Sequence, residues 1–231
     1  MSDGGVLGAD VCPAGWVGIV LRGSHVRAIV HAEIGGLVAL GAADGTLDAV
    51  AIDIPIGLAD SGPRQADVLA RKAAGPRWAS VFMTPVREAL LAETYAEALK
   101  ISRELTGRGI SSQAYRLRAK ILQVDNWRAE ALTCPLVEAH PELSFAAMAG
   151  APLADSKSTW AGAVRRRQLL AAEGIGLDAD LGLSGLRVGF DDVLDAAAVA
   201  WTARRVADGT ARRLPAEAER FSDGVDCAIW T

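Results

Sequence analysis

The segment from Ala49 to Ile54, AVAIDI, restricts the fold more than any other part of the sequence, because Asp53 is its only polar residue. An unbroken apolar strand is typical of a position inside a sheet with both faces covered, whereas a half-exposed strand alternates apolar and polar residues. Pro55 and Gly57 then end the strand. The pattern predicts a central strand in an α/β protein.

Three shorter apolar runs precede this strand, and the turns between them are short enough for hairpins. They lie at 6–10, 16–21 and 26–31. A fifth strand is predicted from Pro135 to Glu138. We therefore expect a mixed sheet of five strands, flanked by helices, in one domain that covers residues 1–231.

Helical spacing dominates the middle of the chain, where Pro63 suits a helix start and glycines mark helix ends. The predicted helices cover 64–74, 86–105, 112–131, 156–170 and 191–209. The first three fall between the fourth and fifth strands. They predict a helical insertion at about 63–131.

Composition limits the possible partners. The net charge is −4, so nucleic acid would need a local basic patch rather than a broadly basic surface. The three cysteines are far apart and odd in number, which argues against a zinc site or a disulfide framework. There is no pattern of a signal peptide or a membrane span. We expect a cytoplasmic protein that binds no membrane, and the sequence leaves its oligomeric state open.

Two aspartates follow apolar strands directly. Asp10 ends the first apolar run, and Asp53 ends the central one. Ligand sites of open α/β sheets gather where the strands end, so these two acids are candidates for a shared site. Each can equally be a turn or cap residue.

A second pair of acids opens the last long helix, where Asp192 and Asp195 share one helix face. Asp192 suits a helix start. Asp195 lies a turn further on in an apolar helix, where a buried carboxylate is costly unless it is paired or bound to a metal. Mg²⁺ or Mn²⁺ is one explanation for Asp195, and an ion pair with an arginine is the other.

The segment from Glu138 to Glu142 carries further candidates. If it is extended, Glu138, His140 and Glu142 alternate onto one face. Glu138 then adds a ligand, and His140 a general base or proton shuttle, since its usual pKa lies near neutrality. Alternatively, Glu138 pairs with an arginine.

Arginines cluster at the start of the insertion, where Arg64, Arg71 and Arg77 are candidates for binding substrate phosphate. A solvated helix face is the alternative. The run from Arg165 to Arg167 is interpreted as exposed helix surface.

Several segments resemble known families. The run from Asp192 to Ala198 is similar to the acidic C-terminal helix of RuvC-type resolvases. Others resemble the family called domain of unknown function 429, whose members are predicted RNase H-like nucleases. These segments are GAD at 8–10, AIDIPIG at 51–57, VFMTP at 81–85, SQAY at 112–115, VEAHPE at 137–142, KSTW at 157–160 and DDVLDA at 191–196. The resemblance implies an RNase H-like fold and metal chemistry.

The leading hypothesis is a metal-dependent nuclease that hydrolyses phosphodiesters with two Mg²⁺ or Mn²⁺ ions about 4 Å apart. Asp10 bridges the ions in this hypothesis, Asp53, Asp192 and Asp195 complete the ligands, and Glu138 or His140 assists. A phosphotransferase is a weaker rival, because the chain shows neither a duplicated domain nor glycine-rich phosphate turns. A protein that binds metal, nucleotide or a partner without turnover is the rival from another class.

Overall fold

A computed structural model describes residues 4–128, 133–177 and 180–231. Within these residues the strands form one seven-stranded mixed sheet in the order β3-β2-β1-β4-β5-β7-β6. The strands are β1 (Gly5–Cys12), β2 (Gly15–Arg22), β3 (His25–His31), β4 (Leu47–Ile52), β5 (Leu136–Ala139), β6 (Arg213–Arg220) and β7 (Asp226–Trp230). The prediction of a mixed sheet flanked by helices is confirmed, but the number of five strands is wrong because β6 and β7 extend the edge.

Strand direction divides the sheet into two parts. β1, β4, β5 and β7 run parallel to one another. β2 and β3 form antiparallel hairpins with β1 on one side, and β6 pairs antiparallel with β7 on the other. The carboxyl ends of the parallel strands therefore meet along one edge of the sheet.

The helices of the structure occupy the five predicted regions with changed bounds, and two more, at Ile34–Gly41 and Pro141–Ala149, lie outside those regions. They are α1 (Ile34–Gly41), α2 (Gln65–Ala73), α3 (Arg87–Leu91), α4 (Tyr95–Thr106), α5 (Ser112–Arg116), α6 (Arg118–Trp127), α7 (Pro141–Ala149), α8 (Trp160–Ala172) and α9 (Phe190–Ala207), with a 3-10 helix at Gly75–Ser80. Thr94 caps α4 and so breaks the helix predicted over 86–105. The helix predicted over 112–131 is divided at Leu117, and its last three residues lie outside the described part of the chain.

The sheet separates two apolar layers, because side chains alternate along each strand. Leu7 and Ala9 of β1 lie with Val50 and Ile52 of β4 in the core that α1 and α6 cover. Ala49 and Ala51 point the other way and pack in the core that contains α9. The central strand is thus buried on both faces, as its apolar run predicted.

Helix α9 packs against β1 with almost no space between the two backbones. A Cβ atom at Gly8 would overlap the backbone nitrogen of Ala200 and the carbonyl oxygen of Ala196. Ala196 and Ala200 are one turn apart and small, which permits this approach. The contact fixes the start of α9 over the carboxyl ends of β1 and β4.

The helices from α2 to α6 lie between β4 and β5 in the chain, where the sequence predicted an insertion. Part of this region closes over the edge where the parallel strands end. Among the residues that the structure describes, no helix combines the length and the apolar character needed to cross a membrane.

Candidate functional site: an acidic cavity beside a lysine

Asp10 and Asp53 lie side by side on neighbouring parallel strands. Ala9 is paired with Ile52, and the N–H of Asp53 donates a hydrogen bond of 2.9 Å to the carbonyl oxygen of Ala9. Both aspartates follow residues that face α1, so both point to the α9 side of the sheet. The predicted convergence of these two acids therefore agrees with the register of the strands.

The first turns of α9 bring two further acids to the same edge. Asp195 is only 3% exposed although it carries a carboxylate. Asp192 lies one turn earlier and accepts a 3.0 Å hydrogen bond from the N–H of Gly189, which caps the helix. One oxygen of Asp192 therefore takes part in capping the helix, whereas Asp195 does not take part in the cap.

Lys157, in the loop before α8, supplies the positive charge beside these acids. Its ammonium donates a hydrogen bond to Asp195 and lies 3.6 Å from Asp191. The expected alternative to a metal at Asp195 was an ion pair with an arginine; the structure has an ion pair with a lysine. The side chain of Lys157 is 37% exposed, so it is not sealed inside the protein.

These acids line one cavity of about 280 Å³. Asp10, Asp53, Asp192, Asp195 and Lys157 form its charged side. The insertion contributes Ser80, Phe82, Gln113 and Leu117, and the segment after β5 contributes His140 to Glu142. The insertion thus forms part of the wall of the acidic cavity.

The carboxyl groups raise one another's pKa values. Burial is the largest cause for Asp10, whose pKa lies well above its usual value, and the charges of Asp53 and Asp195 add to it. Burial also raises the pKa of Asp53 and that of Asp195 to about 7, against the opposing effect of Lys157. The cavity therefore holds more negative charge at pH 8 than one lysine neutralises.

Burial alone would lower the pKa of Lys157, but the charges of Asp195 and Asp10 raise it above the usual range. The lysine is therefore charged throughout the physiological range. It is the built-in counter-ion of the cavity.

The donor set fits Mg²⁺ or Mn²⁺ in type, since these ions prefer carboxylate oxygens. As the side chains stand, however, no group of three His, Cys, Asp or Glu residues in the described ranges is arranged to hold a metal ion. The ammonium of Lys157 forms an ion pair with Asp195 instead. A cation that binds the same oxygen of Asp195 thus competes with the ammonium.

His140 lines the cavity but is not free to act as a base in this arrangement. Its Nδ1 accepts a 3.2 Å hydrogen bond from the N–H of Glu142, and its Nε2 lies 3.4 Å from the carbonyl oxygen of Ser80. Burial lowers the pKa of His140, against the opposing charge of Asp195. Burial therefore favours the neutral ring, which caps the start of α7.

The expectation that Glu138, His140 and Glu142 share one face is wrong, because β5 ends at Ala139 and α7 begins at Pro141. Glu138 is paired with Ile52, so it points to the sheet face opposite the acidic cavity. It is not a member of the acidic cluster.

The prediction that Arg64 binds substrate phosphate is wrong, because its guanidinium is fully buried and cannot meet a phosphate. It donates parallel hydrogen bonds of 2.7 and 2.9 Å to Glu138 and others to Asp67. Two more go to the carbonyl oxygens of Ile56 and Gly57. Arg64 therefore anchors the loop after β4 to β5. Glu138 pairs with an arginine, which was the alternative to its role as a metal ligand.

Arg71 and Arg77 do not converge on the acids either, since neither is among the described residues that line the cavity. The guanidinium of Arg71 stacks 4.6 Å from the ring centre of Trp78. Arg77 belongs to the 3-10 helix that contributes Ser80 to the cavity wall. A phosphate-binding role for these two arginines stays a prediction.

Two charged residues near the site were not predicted. Lys157 lies in a segment that carries the family resemblance, but nothing in the sequence indicates its partner 38 residues away. Arg166 is fully buried rather than exposed, and one of its nitrogens binds both oxygens of Glu142 at 2.8 Å. Glu142 therefore already has a counter-ion in Arg166.

The comparisons with known proteins agree with the resemblance noted in the sequence. No curated protein and no solved structure matches this chain. A family model described as a protein of unknown function, DUF429, matches residues 8–220, which is nearly the whole chain. The chain therefore belongs to the DUF429 family.

Proposed function

We propose that the chain is a metal-dependent nuclease on an RNase H-like fold. The observation that carries the proposal is the meeting of Asp10, Asp53 and Asp195 in one cavity, where burial and mutual repulsion raise their pKa values. Acids on two adjacent strand ends and on a C-terminal helix are what the resemblance to RuvC-type resolvases implies. The first five strands also follow the chain order of the five predicted strands.

A bound Mg²⁺ or Mn²⁺ ion would activate water and stabilise the leaving oxygen of a phosphodiester. Asp10, Asp53 and Asp195 would hold it, with the oxygen of Asp192 that Gly189 does not use. Lys157 would withdraw from Asp195 toward Asp191, with which it is already in contact. Phe82, Gln113 and Leu117 form part of the wall of the cavity in which these acids lie.

The first test is cation binding. A ligand that binds only the folded state raises its stability, so millimolar Mn²⁺ should raise the melting temperature of the wild-type protein. Asp53→Asn and Asp195→Asn should lose most of this shift. Asp44→Asn, which changes an exposed carboxylate outside the cavity, should keep it. An unchanged wild-type melting temperature would reject the metal site.

The second test is hydrolysis. Wild-type protein should cleave labelled single-stranded DNA or RNA only with Mg²⁺ or Mn²⁺, and Asp195→Asn should be inactive. Asp44→Asn again serves as the control.

The ion pair between Lys157 and Asp195 favours a second candidate, a binding protein without turnover, because the cavity already contains its own cation. The two tests separate the candidates. A thermal shift by Mn²⁺ without cleavage of either nucleic acid would support the binding protein.

A further inference from the structure

A groove of about 510 Å³ lies between the first turns of α8 and α9, beside the acidic cavity. One face of α8 lines it, formed by Trp160, Ala163, Val164 and Arg167 at helical spacing. Phe190 of α9 lines it as well. The volume is within the range of small-ligand pockets, roughly 300–1,000 Å³.

The two aromatic side chains of this groove have no evident role in stabilising the fold. Trp160 is 84% exposed and Phe190 is 56% exposed, so neither contributes much to the core. Neither ring caps its helix, because Thr159 caps α8 and Asp192 closes the cap of α9. Two exposed aromatic side chains that line one groove are typical of a binding surface.

The groove is continuous with the acidic cavity through Lys157, which lines both. Lys157 contacts Asp195 on the cavity side and Asp191 on the groove side. A ligand with a phosphate at the acids can therefore reach the groove along Lys157. The part of a ligand that enters the groove would meet the aromatic side chains of Trp160 and Phe190, and Arg167 lines the same groove.

We propose that this groove binds an unpaired nucleobase of a nucleic acid strand, stacked on Trp160 and Phe190, next to the phosphodiester at the acids. The proposal rests on the proposed nuclease function and names its substrate class. Base stacking on exposed aromatic side chains needs a base whose face is free. The preferred substrate is thus single-stranded, or has an unpaired nucleotide beside the cleaved bond.

The test compares two strands of equal length and charge. One is a labelled decathymidylate strand, and the other is an abasic strand of ten residues. Phosphorothioate linkages in both make them resist hydrolysis. Affinities are measured by fluorescence anisotropy, with Mn²⁺ and separately with EDTA. Wild-type protein should bind the base-containing strand about tenfold more tightly than the abasic strand.

Variants assign this discrimination to the groove. Trp160→Ala should bind the two strands nearly equally, and Phe190→Ala should lose part of the difference. Trp160→Phe keeps an aromatic face and should retain most of it. Leu91→Ala, which removes a 61% exposed side chain outside the groove, should behave as wild type. Circular dichroism and melting temperatures check that each variant folds.

Tryptophan emission gives an independent readout. The base-containing strand should quench the wild-type protein, and the quenching should be much weaker in Trp160→Phe, which lacks the indole of the groove. Equal affinity of wild-type protein for the two strands, or no measurable binding of either, would overturn the proposal. Retained discrimination in Trp160→Ala would do so too.

The experiments distinguish a wrong proposal for base stacking in the groove from a wrong proposal for the metal site. A melting shift by Mn²⁺ without base discrimination overturns the stacking site and leaves the metal site. Base discrimination without a Mn²⁺ shift supports the groove and rejects the metal site. If Trp160→Ala instead abolishes self-association in sedimentation and leaves strand binding unchanged, the groove is a protein interface and the proposal is wrong.

Discussion

The backbone N–H of Asp53 donates a hydrogen bond to the carbonyl oxygen of Ala9, so Asp53 is held beside Asp10 by the sheet itself. The backbones of the two aspartates cannot separate without breaking the pairing of β1 and β4. Their repulsion is therefore built into the fold, and it becomes measurable as the pH changes.

The stability of the protein without divalent cations should fall as the pH rises. The folded-state pKa of Asp53 is about 7, above a value near 4 in the unfolded chain. The contribution of such a group is fully present below about pH 4 and is lost as the pH rises through 7. Urea unfolding in EDTA should show that Asp53→Asn gains roughly 3 kcal/mol relative to wild type between pH 4.5 and 8.

The control for this experiment is Asp44→Asn, which removes an exposed carboxylate outside the cavity. It should not reproduce the gain. A wild-type protein that becomes more stable relative to Asp53→Asn at pH 8 would show that Asp53 is a favourably paired ion.

Lys157→Met should separate the counter-ion from the metal site. Without divalent cations the variant should lose roughly 1 to 3 kcal/mol of unfolding free energy at pH 8, because Asp195 loses its partner. The loss should be smaller at pH 5, where Asp195, with a pKa of about 7, is protonated. Calorimetric titration should show tighter Mn²⁺ binding than in wild type, because no ammonium competes for Asp195.

Lys100→Met is the matched control, since Lys100 is exposed and forms a long contact of 3.9 Å with Glu104. It should change neither quantity. Weaker Mn²⁺ binding by Lys157→Met would contradict competition between the lysine and the cation.

Arg64→Ala should destabilise the fold by roughly 3 to 5 kcal/mol, because it leaves Glu138 and Asp67 buried without their partner. Arg71→Ala should cost only about 1 kcal/mol, since Arg71 stacks on an exposed Trp78. Urea unfolding measures both. If both variants unfold at the same urea concentration, the network around Arg64 is not the structural anchor that its contacts indicate.

Gly8→Ala should destabilise the protein by roughly 3 kcal/mol, because the added methyl group overlaps the backbone of α9. It should also weaken Mn²⁺ binding by moving Asp195 relative to Asp10. Gly176→Ala is the control, because a Cβ atom at Gly176 meets nothing within 4 Å. Equal melting temperatures of the two variants would contradict the close approach of α9 and β1.

The parts of the fold with strong periodicity could be predicted from the sequence. The apolar run before Asp53 indicated the central strand, and the positions of Asp10 and Asp195 in apolar elements indicated the acidic cluster. β6 was missed because its residues are mostly polar or partly exposed, and it contains Pro215. A proline on an edge strand weakens the strand pattern in the sequence.

Helix α7 was missed although a signal for it was present. Pro141 occupies the first turn, and the ring of His140 accepts a hydrogen bond from Glu142. Proline directly after a strand suits a helix start. The alternation of Glu138, His140 and Glu142 favoured an extended segment instead, which produced the wrong shared face.

Long-range ion pairs could not be predicted, because the sequence contains charged residues but not their distances in space. Arg64 and Glu138 are 74 residues apart, and Lys157 and Asp195 are 38 apart. Each carboxylate had several possible cations of similar chemistry. Only the packing of β5 and α9 selects among them.

The backbone contact at Gly8 also determines how fast the acidic cavity can respond to a ligand. Asp10 lies two residues beyond Gly8, and Asp195 directly precedes Ala196, so both acids are attached to elements that touch each other. Closure by a moving helix would take microseconds or longer and would break this contact. The lysine between the acids needs only to change rotamer, which takes picoseconds to nanoseconds for a partly exposed side chain. We therefore expect ligand exchange to be limited by diffusion and desolvation, and not by a conformational change of the backbone.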